Sequence, residues 1–486
     1  MGITRRDLLR GGAAAGALLF APAFKRSGVL SPLNQTEELA ATRASKLYPG
    51  ERRTLVHADL HNHTLMSDGV GDPAAAFASM RHHGLDVAAL TDHATISQHL
   101  PESVCETLFP TQAPTDSPRH DCQSVAGIDE SSWARAAVLA DTANARDDFV
   151  AIRGFEWSSP TLGHMNVWFS EDWTDPLHTA GGGSGEGAGQ FLHDEFRYDG
   201  HQIPEEVTDI INQVASEHGA NAGMRLFYEW LTADPTRPGH GGGADGIAGF
   251  NHPGREVGRF GYFAYDPAVA DRVVSLELFN RDEDYLFEGT TSGVASPLVQ
   301  CLDAGWRVGL LGVTDEHGDD WGGHTDKGRG GLWVTDLSRD GVKEAMQARR
   351  FFATNTIGLR LDAAATGSAR QRARMGQTFP HRGGDVTFEL DIDRGDAWIG
   401  KELHVQVLVS GPHLPDIAAA VDVRVPAPQA DALRIRASID PADTSWAVLR
   451  VTDPQRPADD RAQGDYASAG GAIAYASPFY LDPEHA

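Results

Sequence analysis

The sequence contains only three cysteines in 486 residues, namely Cys105, Cys122 and Cys301. None of them has the paired spacing of a zinc ribbon, so a thiolate zinc site is not expected. Cys105 and Cys122 could close a loop in an oxidising compartment, or both could remain free thiols. The sequence leaves these two alternatives open.

Positive charge is also scarce, since 41 Lys and Arg stand against 68 Asp and Glu and give a formal net charge of -27. An acidic chain repels a nucleic-acid backbone, so no nucleic-acid partner is expected. Outside the N-terminus no stretch approaches the roughly 20 apolar residues of a membrane span, so stable membrane insertion is not expected either. A small anionic substrate stays compatible with this charge, because bound cations can reverse the local field.

Residues 1–23 have the three-part pattern of an export signal: a basic segment with Arg5-Arg6, an apolar stretch at 13–20 and small residues at 21–23. The arginine pair and the modest hydrophobicity resemble a bacterial twin-arginine signal. We therefore expect the twin-arginine export machinery as a transient partner and a periplasmic or secreted mature protein. The alternative is a short helix that begins with two arginines.

Residues 24–50 are predicted to be a linker, and from residue 51 short apolar strands alternate with helical segments. This alternation is typical of an α/β fold with a parallel sheet or barrel. Strands are predicted at 54–60, 85–90, 149–155, 247–250 and 308–313, each running into a polar cluster, with helices at 73–83 and 340–350 and a strand-like segment at 351–361. The first helix is predicted to have Asp72 as its N-cap and Pro73 at its first position. Such folds place their chemistry at the carboxyl ends of the strands.

Two insertions, 97–145 and 177–246, interrupt this pattern and are predicted to shape the rim of a pocket or a lid, with solvated loops as the alternative. Within the second, 193–231 is predicted to be largely helical. From residue 376 to 486, apolar and polar residues alternate with period two. This predicts an accessory module resembling an antiparallel β-sandwich.

Nine His, Asp and Glu side chains lie on or near the predicted strand ends: His61, His63, Asp68, His93, Glu156, His164, His252, Asp315 and His317. In the extended segment His61-Asn62-His63, alternate residues face the same side, so both imidazoles can bind one ion. Imidazole mixed with carboxylate suits Zn, Mn or Fe. Any one of the nine could be a turn or surface residue, but their recurrence at successive strand ends predicts a shared centre of divalent metals.

Six segments in this order carry a family resemblance: Asp59-Leu-His-Asn-His-Thr-Leu-Met-Ser-Asp-Gly69, Leu90-Thr-Asp-His93, Gly154-Phe-Glu-Trp157, Gly163-His-Met-Asn-Val167, Asn251-His-Pro253 and Gly312-Val-Thr-Asp-Glu-His-Gly318. They resemble the successive motifs of the PHP (polymerase and histidinol phosphatase) family of metal-dependent phosphoesterases, over about residues 55–361. The resemblance implies a distorted (β/α)7 barrel at 51–365. It also implies a centre of two or three divalent ions.

Carried onto this chain, the resemblance implies three overlapping ligand sets: His61, His63, Glu156 and Asp315 for one ion, Glu156, His164 and His252 for a second, and Asp68, His93 and His317 for a third. It implies hydrolysis of a small phosphomonoester or phosphodiester by a metal-bridged hydroxide. Asp68 stands where some members of the family have His. The export signal, the insertions and the β module depart from the usual pattern and leave the substrate open.

Two further roles are hypotheses about acid–base chemistry and support. Asp315 or His317 is expected to move a proton to the leaving group. Asp92 is expected to orient a ligating imidazole. Glu277 and Asn280, at the end of a further strand, could support the ligands or could simply pack.

Arg255 is predicted to contact the phosphate through its fork-shaped guanidinium, with a salt bridge at the rim as the alternative. Arg329 and His324 are weaker candidates of the same kind. Two other functions remain open. A bridging hydroxide could equally attack an amide or a carboxylic ester, or the protein could be a non-catalytic metal- or carbohydrate-binding exported protein.

Overall fold

The computed structural model describes residues 43–94, 127–159, 162–176, 222–237, 241–253 and 259–483. The predicted export signal, Arg255, Cys105 and Cys122 lie outside these ranges. The chain divides into two compact units, residues 1–42 and 43–486, and the first unit falls wholly outside the described residues. Within the described ranges, every helix is too short or too polar to cross a membrane.

The first eleven strands are β1 Thr54–Asp59, β2 Val87–Leu90, β3 His93–Ala94, β4 Val150–Ser159, β5 Gly163–Trp168, β6 Ile247–Phe250, β7 Val273–Asn280, β8 Glu283–Asp284, β9 Gly309–Val313, β10 Arg329–Val334 and β11 Phe351–Thr354. The next ten are β12 Arg360–Thr366, β13 Arg372–Arg374, β14 Thr378–Pro380, β15 Gly384–Asp393, β16 Glu402–Val409, β17 Asp416–Arg424, β18 Leu433–Ile439, β19 Trp446–Asp453, β20 Gly471–Ala476 and β21 Phe479–Asp482. The helices are α1 Pro73–His82, α2 Glu130–Ala143, α3 Ala222–Thr232, α4 Pro297–Asp303, α5 Arg339–Gln347 and α6 Gly464–Ser468. Arg259–Phe263 forms a short turn with positive φ at Phe260, Gly261 and Tyr262.

The strands before residue 355 form a mixed sheet. β1 pairs in parallel with β2, β2 with β4, β6 with β7, and β7 with β9. β5 runs antiparallel between β4 and β6, and β10 runs antiparallel to β1. The mixed α/β class is therefore confirmed, whereas a closed (β/α)7 barrel stays a prediction.

The carboxyl ends of β1 and β9 meet through hydrogen bonds beyond the strands. The His63 backbone N–H donates to the Glu316 carbonyl at 2.9 Å, and Asn62 and Glu316 form an isolated parallel bridge. The Thr314 N–H donates to the buried Asp59 carboxylate at 3.2 Å. These bonds bring the segments that carry His61, His63 and Asp315 to one place.

Two capped helices cover the sheet near this end. The Asp72 side chain accepts from the Ala74 N–H at 3.0 Å and Pro73 begins α1, so the predicted cap is confirmed. Helix α2 lies at the end of the predicted insertion 97–145, and Asp129 and Ser132 form a reciprocal capping box there. The buried face of α2 packs against α1 and β4. The helix is part of the connection between the parallel strands β2 and β4.

The C-terminal module consists of two sheets that share an apolar core. One sheet has the order β13-β12-β15-β18, and in the other β16 pairs with β17 and β19, and β19 with β20. The module begins at Arg360, earlier than the predicted boundary at 376, because β12 pairs along its length with β15. Antiparallel pairing of β11 with β20 joins the module to the first sheet.

Candidate metal centre

His61 and His63 follow β1 and are fully buried. Their Nε2 atoms lie 3.1 Å apart, so the two imidazoles face the same point, as their alternate spacing predicts. Facing ring nitrogens this close must share either a proton or a cation. A shared cation would satisfy both nitrogens.

Glu156 lies inside β4, not after its end as predicted, because β4 continues to Ser159 along β5. Its fully buried Oε1 atom lies 3.2 Å from His61 Nε2, 3.2 Å from His252 Nε2 and 3.3 Å from His164 Nδ1. One carboxylate oxygen therefore faces three imidazoles from three separate segments.

Asp315 completes the group around His61 and His63. Its Oδ1 atom lies 3.2 Å from His63 Nε2 and 3.5 Å from His61 Nε2. Two ligands each about 2.1 Å from an ion at a tetrahedral angle are about 3.4 Å apart, so this spacing fits a metal site. Asp315 has φ 48°, an unfavourable left-handed conformation for a non-glycine residue and a feature common at functional sites.

Asp68, His93 and His317 form an adjacent group. Asp68 Oδ2 lies 3.4 Å from His317 Nε2 and 3.6 Å from His93 Nε2. The His63 and His317 rings stack with centroids 4.0 Å apart, which places this group directly beside the first. His93 Nδ1 also lies 2.6 Å from Glu156 Oε2, so His93 stands between two of the predicted ligand sets.

The structure thus brings all nine predicted ligands together. Three groups of their atoms have the spacing that a metal ion needs: His63, Asp68, His93 and His317; His61, His63 and Glu156; and His93, Glu156 and His164. Among the described residues, buried His63 Nδ1 makes no hydrogen bond, and buried Glu156 Oε2 has its 2.6 Å contact with His93 Nδ1, although charged groups surround both atoms. Coordination of divalent cations would satisfy these atoms.

The charged neighbours shift the pKa values of the ligands in the metal-free centre. Burial would lower the pKa of His61, but Glu156, Glu277 and Asp315 raise it well above its ordinary value. Burial lowers the pKa of His63 to about 3. Burial would raise the pKa of Glu156, but the imidazoles hold it well below its ordinary value. An ionised carboxylate beside a neutral imidazole is the form that binds a metal.

Buried polar residues outside the nine hold the ligands in place. The Glu277 Oε1 atom lies 2.9 Å from His61 Nδ1, and Oε2 accepts from the His252 backbone N–H at 2.7 Å. The Asn280 amide donates to the same Oε2 at 2.9 Å, and the Asn251 amide donates to Glu156 Oε1 at 2.7 Å. A carboxylate behind a ligating imidazole fixes the tautomer and orientation of the ring.

Asp92 has a different role from the predicted one. Its buried carboxylate accepts from the Thr64 N–H at 2.7 Å and from the Ser67 hydroxyl at 2.8 Å. These bonds fix the loop between His63 and Asp68, and none of them reaches an imidazole. The prediction that Asp92 orients a ligating ring is therefore corrected to support of the Asp68 loop.

Arg281 contributes a guanidinium to the centre and was not predicted from the sequence. Its Nη2 atom lies 3.2 Å from Asp315 Oδ2 and 3.2 Å from His317 Nδ1, and 39% of its side chain is exposed. It follows the end of β7 directly after Asn280, so the rule that polar residues cluster after strand ends could have found it. Buried Arg329 instead donates to the carbonyls of Gly322 and His324 and supports a loop.

The match to known proteins is confined to solved structures, since no family model and no curated protein matches the chain. A two-domain protein from Bacteroides vulgatus ATCC 8482, described as containing a predicted PHP-like metal-dependent phosphoesterase, is 13% identical with a TM-score of 0.37, over 94% of this chain and 100% of that one. A protein from Bifidobacterium adolescentis ATCC 15703, named for an inferred metal-dependent phosphoesterase activity, is 15% identical with a TM-score of 0.26, over 60% and 95%. An amidohydrolase from Chromobacterium violaceum with bound sulfate and no metal is 16% identical with a TM-score of 0.24, over 54% and 87%. The function of this chain is therefore inferred from its own candidate centre.

Proposed function

We propose that this protein is a divalent-metal-dependent hydrolase of phosphate esters, acting on a small phosphomonoester or phosphodiester. The observation that carries the proposal is the convergence of nine imidazole and carboxylate groups, with one Glu156 oxygen 3.2–3.3 Å from three imidazoles. Ligand sets of this kind suit Zn, Mn or Fe.

We assign the nine residues to two or three ions. His61, His63, Glu156 and Asp315 would hold one ion, with Glu156, His164 and His252 at a second and Asp68, His93 and His317 at a third. Bound divalent ions in such sites act as Lewis acids and lower the pKa of coordinated water to near neutrality.

The protein's own part is to orient these ligands before substrate arrives. Glu277 receives the Nδ1–H of His61, which leaves Nε2 of that ring facing the centre. Asn251 donates to Glu156 and so holds the carboxylate that three imidazoles face. Because these partners are buried, the ligands need little rearrangement when they bind an ion.

Arg281 supports phosphate as the substrate group. Its Nη2 atom contacts Asp315 and His317, and its Nε and Nη1 atoms have no partner among the described residues, so these donors of the partly exposed guanidinium can contact anionic oxygens. We assign to Arg281 the phosphate contact that the sequence predicts for Arg255. Arg255 remains a candidate for a second contact.

His317 is the group best placed to donate a proton to the leaving oxygen. Burial would lower its pKa, but Asp68 and Asp315 raise it above its ordinary value. The ring is 27% exposed, so it can reach a bound ester. Asp315 is fully engaged with imidazoles and Arg281, and is better suited to holding an ion.

The test is a substrate panel with the full chain loaded with Zn2+, Mn2+ or Fe2+. We expect hydrolysis of phosphomonoesters or phosphodiesters that a chelator abolishes and added metal restores. Hydrolysis of amides or carboxylic esters alone, or of no compound by the loaded protein, would overturn the proposal. His82→Ala, which removes a histidine of α1 outside the centre, is the matched control and should retain full activity.

We also propose that the chain is exported by the twin-arginine route and acts in the periplasm or outside the cell. The support is the pattern of residues 1–23 around Arg5-Arg6. In a bacterial host, replacement of Arg5 and Arg6 by Lys should retain the protein in the cytoplasm. Unchanged export of the double variant would refute this route.

A further inference from the structure

A fully buried arginine of the C-terminal module begins a chain of hydrogen bonds towards the candidate metal centre. Arg450, on β19, donates through Nη1 to Gln406 Oε1 at 2.7 Å and through Nε to the Tyr475 hydroxyl at 3.0 Å. Gln406 and Tyr475 lie on β16 and β20 of the same module. The arginine is thereby fixed within one sheet.

The Tyr475 hydroxyl extends this chain of hydrogen bonds from the C-terminal module to strand β8. It donates to Asp284 Oδ2 at 2.7 Å, so the same hydroxyl accepts one bond and donates another. The other Asp284 oxygen accepts from the Leu286 N–H at 3.1 Å, and the Asp284 carbonyl accepts from Arg461 at 3.1 Å. Asp284 is therefore fixed at side chain and backbone.

Asp284 is the last residue of a hairpin whose turn carries Arg281. Asn280 pairs with Glu283 and Phe279 with Asp284, which leaves Arg281 and Asp282 as the turn. Arg281 has φ 55°, a left-handed conformation that is unfavourable for a non-glycine residue. A turn in this conformation persists only when the surrounding contacts fix it.

We propose that the C-terminal module positions Arg281 over the metal centre through the Arg450–Tyr475–Asp284 chain. This inference rests on the proposed function, in which Arg281 binds the substrate phosphate. Loss of the Tyr475 hydroxyl removes one of the bonds that fix Asp284 and so loosens the β8 side of the hairpin. The strained turn then holds Arg281 less firmly in the conformation that points it at Asp315. Tyr475 and Arg450 are positioning residues and touch no metal ligand in the described structure.

Tyr475→Phe in the full, metal-loaded chain tests the proposal. We expect roughly a tenfold rise in KM for the phosphate ester and in the Kd of inorganic phosphate measured by calorimetry, with metal content and kcat changed much less. Tyr480→Phe is the matched control, because its buried hydroxyl also donates one 2.7 Å bond, to the Val308 carbonyl, away from the hairpin. An equal phosphate Kd for the two variants would overturn the proposal.

A double variant separates positioning from general loss of structure. Arg281→Ala should weaken phosphate binding at least as much as Tyr475→Phe, and Arg281→Ala combined with Tyr475→Phe should be no weaker than Arg281→Ala alone. Additive losses would show that Tyr475 acts independently of Arg281 and would refute the inference. If Tyr475→Phe does not fold, Asp284→Asn takes its place, since one amide oxygen cannot serve both Tyr475 and Leu286.

Failure of the inference differs from failure of the proposed function. If the loaded wild-type protein neither binds phosphate nor hydrolyses any phosphate ester, the proposed function is wrong and the inference falls with it. If Arg281→Ala weakens phosphate binding but Tyr475→Phe does not, the proposed function stands and the positioning role alone is refuted.

Discussion

The C-terminal module and the candidate metal centre both bury charge, but they neutralise it in different ways. In the module, the Arg360 guanidinium lies 2.9 Å from Asp391, and Arg374 pairs with Asp362, with every one of these side chains at most 3% exposed. In the centre, Glu156 and Asp315 face imidazoles that also crowd one another.

This difference separates charge that serves folding from charge that serves ligand binding. A buried guanidinium–carboxylate pair is complete within the chain, and removal of one partner leaves an uncompensated charge. A cluster of imidazoles and carboxylates is complete only when cations bind it, because metal ions are often the largest charges in such a site. The same type of substitution should therefore have opposite consequences in the two regions.

The largest expected effect is loss of catalysis on Glu156→Gln. The amide keeps the size of the side chain but removes the charge that three imidazoles face. We expect kcat for phosphate-ester hydrolysis to fall by on the order of 1,000-fold and the bound metal to fall by about one ion per chain. The matched control is Glu389→Gln in the module, where the carboxylate pairs with Arg372 on the surface. A comparable loss of activity in both variants would contradict the distinction between the candidate metal centre and the C-terminal module.

Breaking an ion pair of the C-terminal module should have the reverse effect, a loss of stability without a loss of metal. Asp362→Ala leaves buried Arg374 with the partly exposed Glu51 as its remaining carboxylate partner. The change should lower the free energy of unfolding by up to about 3–5 kcal/mol, while the metal content of the folded protein stays unchanged. Chemical denaturation and elemental analysis measure the two quantities. Replacing both residues by apolar ones should recover most of the stability. Loss of metal from folded Asp362→Ala would contradict the separation of the two regions.

Glu277→Gln should have an intermediate effect. The amide oxygen can still accept from His61, but it lacks the charge that holds the ring and raises its pKa. We expect metal affinity to fall roughly 10–100-fold, as for other carboxylates behind ligating imidazoles. Competition with a chelator measures this, and an unchanged affinity would mean that Glu277 only packs against the strand.

The smallest expected effect is a release of protons when metal binds. Burial would lower the pKa of His93, but Asp68 and Glu156 raise it to about 9 from an ordinary 6.5 in the metal-free centre. In the metal-free protein His93 therefore stabilises the fold below about pH 6.5, and this contribution is lost as the pH rises through about 9. Metal must displace that proton, so binding near pH 7 should release protons and should tighten up to about pH 9.

Calorimetric metal titrations in buffers of different ionisation enthalpy give the number of protons released. A release of zero near pH 7 would show that His93 is neutral before metal binds. Metal affinity that falls between about pH 6 and pH 8 would have the wrong sign for displacement of a proton from an imidazole.

Much of the chain before residue 355 could be predicted because its features depend on residues close together in the sequence. The cap at Asp72, the apolar strands and the parity of His61 and His63 depend on neighbours in sequence, and each appears in the structure as expected. The convergence of the ligands that follow strands β1, β6 and β9 is expected once these strand ends share an edge. Glu156 was placed beyond its strand because pairing with β5, which prolongs β4, could not be seen in the sequence.

Long-range pairing accounts for what the sequence did not indicate. Arg281 points to the centre because β7 and β8 form a hairpin, and the module starts at Arg360 because β12 pairs with a strand about 20 residues on. Strand β19 is buried along its whole length, including Arg450. Neither the partner strands nor Tyr475 could be assigned from spacing alone.

Metal stoichiometry tests the central claim most directly. The full chain would be loaded with Zn2+, Mn2+ or Fe2+, dialysed against metal-free buffer and measured by inductively coupled plasma mass spectrometry. The convergence of the nine ligands predicts about two or three tightly held ions per chain, with fewer in Glu156→Gln. Less than about one ion per chain in the folded wild-type protein would contradict a shared metal centre.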